Sequence, residues 1–256
     1  MQRYSREDAL PERDYVLLLE ATRELQYPKS LQARFIIMAA GRLGMRSGEI
    51  AHINDNWVNF AENTIAIPEY QNCNRGVNDG EVCGYCRNRI RDYLNTHNTT
   101  IEEEKEQILK EFGDHVNKNN IHKMAEERVS KKNKTVGDVS SEWWQPKTPA
   151  ASRTIPFDFD IRLHLCIERF FDEYDSFPIS KASLNRRVSE VSEISDVDKR
   201  IYPHSLRATA ATIHASRNVS PYALMSVMGW RDLDTARKYI AASDDSAAIE
   251  IRSKYR

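Results

Sequence analysis

The 256-residue chain lacks any apolar run long enough to cross a bilayer. Its opening, Met1-Gln2-Arg3-Tyr4-Ser5, lacks the apolar stretch of a secretory signal. These two absences predict a soluble, intracellular protein. Cysteine is scarce: four residues in a chain of this length do not make a disulfide scaffold. There is no excess of positive charge either. The formal net charge is −1 and the pI about 6.7, whereas binding to nucleic acid usually leaves a basic footprint. No internal repeat or low-complexity tract is evident.

What is present is a chain that is 40% hydrophobic, enough to bury a sizeable core as one large domain or two small ones. The two signs of charge are segregated. Acid gathers in the middle, from Glu102 to Glu127, and base gathers later, at Arg186, Arg187, Lys199, Arg200, Arg207, Arg217, Arg231, Arg237 and Lys238. A neutral sum of this kind can still present one basic face.

Helical periodicity runs from Pro11 to Gln26 and, more apolar, from Leu31 to Leu43, with Gly44 as a break and a short helix opening at Ser47. Trp57–Phe60 and Thr64–Ile67 favour strands joined by an Ala61-Glu62-Asn63 turn. Arg153–Phe157 is a third strand, which Pro156 makes an edge or a strand end. Between the second and third strands lies an insertion at about 70–142. It starts with a cysteine-rich loop and continues as a charged helical stretch, Thr100 to Val129, with Ile101, Ile108, Phe112, Val116 and Ile121 as its sparse apolar stripe. Amphipathic helices follow at Asp160–Tyr174, Ser183–Ile194, Pro203–Arg217 and Ser220–Gly229, and Asp232 caps a last one that carries Tyr239. The fold class expected is α+β, mainly α, with a small three-stranded antiparallel sheet on one edge.

The chemistry gathers in the last part. His204-Ser205-Leu206-Arg207 places an imidazole and a guanidinium about one helical turn apart; Gly229-Trp230 and then Tyr239 follow. A tyrosine hydroxyl, with an ordinary pKa of about 10, is a weak nucleophile at neutral pH and needs a proton acceptor. A phosphodiester under attack gains negative charge that planar, multi-donor arginines are suited to clamp. Arg207 is one such arginine. Arg46, in Leu43-Gly44-Met45-Arg46-Ser47-Gly48-Glu49, is the second, with Glu49 as a buttress that does no chemistry itself. Lys147, in Pro146-Lys147-Thr148-Pro149-Ala150-Ala151-Ser152-Arg153, offers an ammonium to a departing alkoxide. Singly, each has an ordinary reading: a helix salt bridge for Arg46 and Glu49, a core residue for Trp230, a surface aromatic for Tyr239. The order Arg, Lys, His-x-x-Arg, Gly-Trp, Tyr, filled without a gap, is what carries specificity.

Read together, these residues resemble the tyrosine recombinases, the phage-integrase family, over about 30–69 and 143–245. The resemblance implies that Tyr239 forms a 3′-phosphotyrosine link with a free 5′-hydroxyl, without ATP or a catalytic metal. It implies that His204 accepts or relays the proton, that Arg46 and Arg207 hold the phosphate, that Lys147 protonates the leaving 5′-oxygen, and that Trp230 packs the site and donates its indole N–H. It further implies double-stranded DNA as partner, assembly as a homotetramer on two sites with residues 244–256 passed to a neighbour, and a cytoplasmic, nucleoid-associated location. The cysteine loop and the Trp143-Trp144-Gln145-Pro146-Lys147 lead-in look most like archaeal and archaeal-virus integrases. Two departures stand out: the insertion, and room for only one or two helices before Arg46. The expectation is therefore a single catalytic domain, 1–256, without an N-terminal core-binding domain.

Cys73, Cys83 and Cys86 include a Cys-Gly-x-Cys knuckle typical of structural zinc sites; His97, His115 and His122 are available as a fourth ligand, none at a diagnostic spacing. The alternative is three reduced cysteines in a loop. Cys166, on an apolar helix face, reads as core. Two other functions remain open: a DNA-binding protein of integrase ancestry that does not cut, and a relaxing enzyme like the type IB topoisomerases. The helix from Lys181 to Ser195, with Asn185, Arg186 and Arg187, is the candidate for groove contact.

Overall fold

The structure, a computed structural model, describes residues 7–76, 81–113, 117–140 and 144–240. The expectations placed on His115, Val116, Trp143 and residues 244–256 lie outside these, as do residues 77–80 of the cysteine loop. The chain divides into two compact units, one of residues 1–69 with 145–256 and one of residues 70–144. The fold is α+β, mainly α, with one small antiparallel sheet.

The first unit opens with α1 (Glu12–Ala21), which passes through a 3-10 turn at Thr22–Glu24 into α2 (Lys29–Gly41). Helix α2 is buried almost all round, as a helix apolar on every face must be. Gly44, at φ +64, ends the excursion that follows; a Cβ there would meet Met228 Sδ at 2.4 Å, so conformation and space both call for glycine. The short helix α3 (Ser47–Ile50) is next, its entry fixed by the Arg46 N–H donating to Glu49 Oε2 at 2.8 Å. Strands β1 (Val58–Asn59) and β2 (Thr64–Ile67) pair antiparallel, and the side chain of Asn59 accepts from the Ala61 and Glu62 N–H groups within their turn.

The second unit then begins. Helix α4 (Gly84–His97) begins within the cysteine-rich loop; its buried stripe is Cys86, Ile90 and Leu94. The charged stretch is two helices, α5 (Ile101–Phe112) and α6 (Lys118–Lys132), followed by α7 (Val136–Ser140). Thr100 and Glu103 form a capping box at the start of α5. Ile108, Ile121 and Ala125 form the core of this hairpin, with Ile101 and Met124 against it. Phe112, expected on the apolar stripe, is instead 48% exposed, because it sits in the last turn of α5 and beyond that small core. Glu104 is fully buried and its carboxylate receives Lys132 at 2.7 Å. A backbone bridge between Gln71 and Trp144 ties the two ends of this unit together.

The chain re-enters the first unit with β3 (Arg153–Pro156), which pairs antiparallel with β2 from Thr64↔Pro156 to Ile67↔Arg153. The strand order is β1-β2-β3, so β3 is an edge and the proline ends it. Helix α8 (Ile161–Glu173), capped by Asp160, and α9 (Lys181–Ile194), capped by Ser180, both pack on α2. Phe35 of α2 stacks on Phe170 with ring centroids 3.7 Å apart and lies beside Phe177. Helices α10 (Pro203–Ser216), α11 (Pro221–Met228) and α12 (Leu233–Ile240) complete the unit. The alanine face of α10, Ala208, Ala211 and Ala215, lets Leu224, Met228, Ala236 and Tyr239 pack close against it. Among the described residues no helix is long and apolar enough to cross a membrane.

Candidate active site and cysteine cluster

Five local structures of the first unit deliver the side chains singled out in the sequence. Arg46 precedes α3, Lys147 lies in the approach to β3, His204 and Arg207 sit on α10, Trp230 follows α11, and Tyr239 is on α12. Pro203 occupies the first turn of α10 and puts His204 at its exposed N-terminal end, with Arg207 one turn deeper and 5% exposed. Two main-chain carbonyls, of Gly44 and Met228, receive the Arg207 guanidinium. They orient it without neutralising its charge.

Gly229 ends α11 in the left-handed conformation, φ 59 and ψ 47. Its N–H donates to Ser226 O at 3.0 Å and the Trp230 N–H donates to Met225 O at 3.0 Å, the paired bonds of a Schellman motif. This turn aims Trp230 back at α12. The rings of Trp230 and Tyr239 stack with centroids 5.2 Å apart and 18° between planes. Tyr239 is 6% exposed, so it is no surface aromatic.

Arg46 is held on two sides. Its Nη1 donates to Glu49 Oε1 at 2.8 Å and its Nη2 to Gly229 O at 3.0 Å. Glu49 is itself 1% exposed. Burial alone would raise its carboxyl pKa, but Arg153, through charge and hydrogen bonds, and then Arg207 and Arg46 overcome that and hold it below the ordinary value. The site is thus a buried carboxylate ringed by three guanidinium groups, with an uncompensated excess of positive charge.

Partial desolvation holds the imidazole of His204 below its ordinary pKa; Arg207, Lys147 and Arg46 add to the shift, and Asp8 opposes it. These three cations are therefore near enough to act on His204, and its neutral, proton-accepting form is favoured. Tyr239 in turn bears on the charge of Arg207, which burial and Arg46 push below its ordinary pKa. Arg46, Arg207, Trp230 and Tyr239 are thus tied together by bonds and stacking around the Gly229 turn, and Lys147 lies near enough to His204 to lower its pKa.

In the sequence Arg153 stands out only as the start of a strand. The signal for its importance was period-2 alternation: it shares the inward face of β3 with Ile155. Its side chain is only 4% exposed. The candidate groove helix is less basic than its sequence. Arg187 turns inward, 12% exposed, to Glu190 at 2.7 Å and Gln32 at 3.4 Å, because it lies on the face of α9 that packs against α2. Asn185 and Arg186 remain outward. Other members of the basic set are also engaged: Lys199 with the carbonyls of Glu7 and Ala9, Arg217 with Glu12, Arg237 with Asp234.

In the second unit the Sγ atoms of Cys73, Cys83 and Cys86 lie within 4.8 Å of one another. Backbone N–H groups point at two of them: Cys83 N–H to Cys73 Sγ at 3.5 Å and Cys86 N–H to Cys83 Sγ at 3.4 Å. Hydrogen bonds to Cys73 and Cys83, then burial, hold the Cys86 thiol well above its ordinary pKa. Three crowded sulfurs cannot all ionise without a cation, and the cluster is compatible with a structural zinc. His97 does not belong to it. That residue lies at the far end of α4, about 16 Å along the axis from Cys86 by the rise of an α-helix, and stacks on Tyr93. Cys166 is buried on α8, among the apolar residues of the first unit.

A sequence profile of the Phage integrase family matches residues 8–246. No curated protein matches the chain. Among solved structures, the crystal structure of XerA recombinase shares 13% identity at a TM-score of 0.52, covering 97% of this chain and 65% of that one. The Tn1549 transposon integrase in complex with circular intermediate DNA shares 15% identity at a TM-score of 0.55, covering 96% of this chain and 66% of that one. The same integrase in complex with transposon right end DNA gives 15% and a TM-score of 0.54, covering 97% and 66%. The chain thus spans just under two thirds of the length of these structures, and at such identities the likeness is one of fold.

Proposed function

The chain belongs to the phage integrase family, and from that premise we propose that it is a site-specific DNA recombinase that cuts and rejoins double-stranded DNA through Tyr239. The observation that carries this reading is the gathering of Arg46, Lys147, His204 and Arg207 around a buried tyrosine stacked on Trp230. The hydroxyl of Tyr239 attacks the scissile phosphorus and passes its proton to neutral His204. The bond from phosphorus to the 5′-oxygen breaks, and Lys147 gives that oxygen a proton. Arg46 and Arg207 balance the charge that grows on the non-bridging oxygens. The product is a 3′-phosphotyrosine link and a 5′-hydroxyl, and the reverse attack by a 5′-hydroxyl of another strand rejoins the DNA. No cofactor takes part in these steps. Trp230 fixes the plane of the tyrosine ring by stacking and offers its indole N–H to the phosphate.

The same reading takes residues 1–256 as a catalytic domain with 70–144 inserted, working as a homotetramer on two DNA sites within the nucleoid. Phosphate-directed lysines and arginines supply most of the affinity, and Asn185 and Arg186 of α9 supply groove contact. The cysteine-bearing insertion and the tryptophan lead-in support a place among archaeal and archaeal-virus integrases. Zinc held by Cys73, Cys83 and Cys86 would brace an insertion whose hairpin core, among the described residues, is Ile108, Ile121 and Ala125. Arg75, whose pKa burial lowers and the three cysteines raise, would balance the negative charge of a thiolate-bound zinc.

The test is to incubate the protein with DNA from its source genome and recover denaturant-resistant protein–DNA adducts. Adducts with the wild type and none with Tyr239→Phe support the reading, and sequencing the trapped ends gives the target site. Salt-sensitive DNA binding without adducts would favour a binder that does not cut. Relaxation of supercoils without recombination of paired sites would favour a topoisomerase-like enzyme.

A further inference from the structure

Arg153 spends every nitrogen of its side chain on protein. Nη1 and Nη2 donate to the two oxygens of Glu49 at 3.2 and 3.0 Å. Nη1 also donates to Ala151 O at 2.6 Å, and Nε to Val227 O at 2.6 Å. All of these bonds go to protein acceptors. They join three pieces of the site: the carboxylate that holds Arg46, the turn that follows Lys147, and the end of α11 that sets Gly229 and Trp230. The approach is tight. A Cβ on Gly229 would meet Ala151 Cα at 2.9 Å and Arg153 Cδ at 3.1 Å.

The geometry of Glu49 decides what this network does. An arginine and a carboxylate prefer a two-pronged, fork-to-fork grip. Arg153 takes that grip, so Arg46 is left with one side-chain bond to Glu49 Oε1 and one to Gly229 O. Without Arg153 the carboxylate would be free to draw Arg46 into the fork, inward and neutralised.

We propose that Arg153 is a positioning residue for DNA cleavage: it occupies the bidentate face of Glu49 so that Arg46, held by one carboxylate oxygen and Gly229 O, keeps donors for the scissile phosphate. This rests on the recombinase reading given above. Arg153 touches no reacting atom and acts through Arg46.

The test uses the full chain and a nicked duplex oligonucleotide carrying the trapped target site, in two forms: an ordinary scissile phosphodiester, and a methylphosphonate with no charge for an arginine to balance. If the wild type forms no adduct with the phosphodiester, the recombinase reading falls and the proposal with it. If it does, Arg153→Met should slow single-turnover adduct formation by about 10²-fold on the phosphodiester, as loss of a charge-stabilising donor does. DNA affinity should stay nearly unchanged, and the methylphosphonate should be slowed by less than about 10-fold, since the lost charge balance no longer matters there. Placed on Arg46→Ala, Arg153→Met should add little, about 3-fold or less, because residues acting as one unit are not additive. Equal slowing on both substrates, or a full further loss on top of Arg46→Ala, would mean mere structural support and overturn the proposal. So would an unchanged rate. Should Arg153→Met fail to fold, Arg153→Lys takes its place in each comparison, since it keeps the charge and loses the fork.

Discussion

Trp230 and Tyr239 stack at 5.2 Å, and the bond network of the Gly229 turn fixes the tryptophan from one side while the alanine face of α10 fixes the tyrosine from the other. The hydroxyl is therefore aimed by packing, and removing it leaves the packing intact. Tyr239→Phe should unfold with the wild type within about 1 kcal/mol, bind DNA equally, and form no covalent adduct. Trp230→Ala should lose both stability, by about 1–3 kcal/mol for a partly buried aromatic, and cleavage. Thermal unfolding beside adduct yield separates the two effects. A Trp230→Ala variant that keeps full cleavage would show that the stack does not aim the hydroxyl.

The pH dependence follows from the cations around His204. Desolvation, Arg207, Lys147 and Arg46 lower its pKa from 6.5, with Asp8 opposing, so the neutral base is present at pH 7. Cleavage should fall only as pH drops through that lowered value. Arg46→Ala should cut the rate by about 10²–10³-fold, as loss of a transition-state donor does. It should also shift the acid limb of what remains to higher pH, because losing a positive neighbour favours the protonated ring. Stability follows the same sign. His204 and His214 both have lowered folded-state values, so the stability they contribute is present above pH 6.5 and is lost as pH falls through those values. Single-turnover rates and unfolding midpoints across pH 5–8 measure both. An acid limb that stays in place in Arg46→Ala would contradict the coupling.

The sequence carried the order of the site, because each site residue sits beside a local signal: Pro203 at the start of α10, Ser220-Pro221 and Gly229 around α11, and Asp232 before α12, where its Oδ1 accepts the Asp234 N–H. It carried the sheet as well, down to the proline at the end of β3. It missed α4, whose stripe of Cys86, Ile90 and Leu94 hides among arginines and asparagines and begins in a cysteine loop. It could not show how the basic residues are engaged, since Arg187 and Lys199 find partners far along the chain, at Gln32 and Glu7. The bidentate Glu49–Arg153 pair spans 104 positions, and no local rule links such residues.

The cysteine cluster predicts a separable role for metal. Purified protein should carry about one equivalent of zinc, a number that follows from a single cluster of three thiols. Cys73→Ser and Cys86→Ser should each lose it. Chelation should raise amide exchange across α4, whose cap is Cys83, and leave adduct formation standing. Zinc content by elemental analysis, exchange of residues 84–97 and adduct yield are the three readings. Protein without zinc would return the cluster to three reduced thiols. Loss of cleavage with α4 still protected would instead place a metal in the chemistry.

Lys147 stands apart from the other cations in being exposed, near enough to His204 to lower its pKa. A residue so placed is suited to proton delivery at the edge of the site, where the 5′-oxygen departs. Its effect should then depend on what leaves. An alkoxide needs a proton as its bond breaks; a thiolate, with an ordinary pKa of about 8.5, leaves well without one. Lys147→Ala should therefore slow cleavage of an ordinary phosphodiester by about 10²–10⁴-fold, the usual contribution of a general acid. It should regain most of that rate when the bridging 5′-oxygen is replaced by sulfur. Arg207→Ala, which removes charge from the non-bridging oxygens, should gain nothing from the same replacement. Single-turnover rates for the two variants on the two substrates give four numbers, and only a rescue confined to Lys147→Ala identifies the lysine as the acid. Equal rescue of both variants would make it one more electrostatic support for the phosphate.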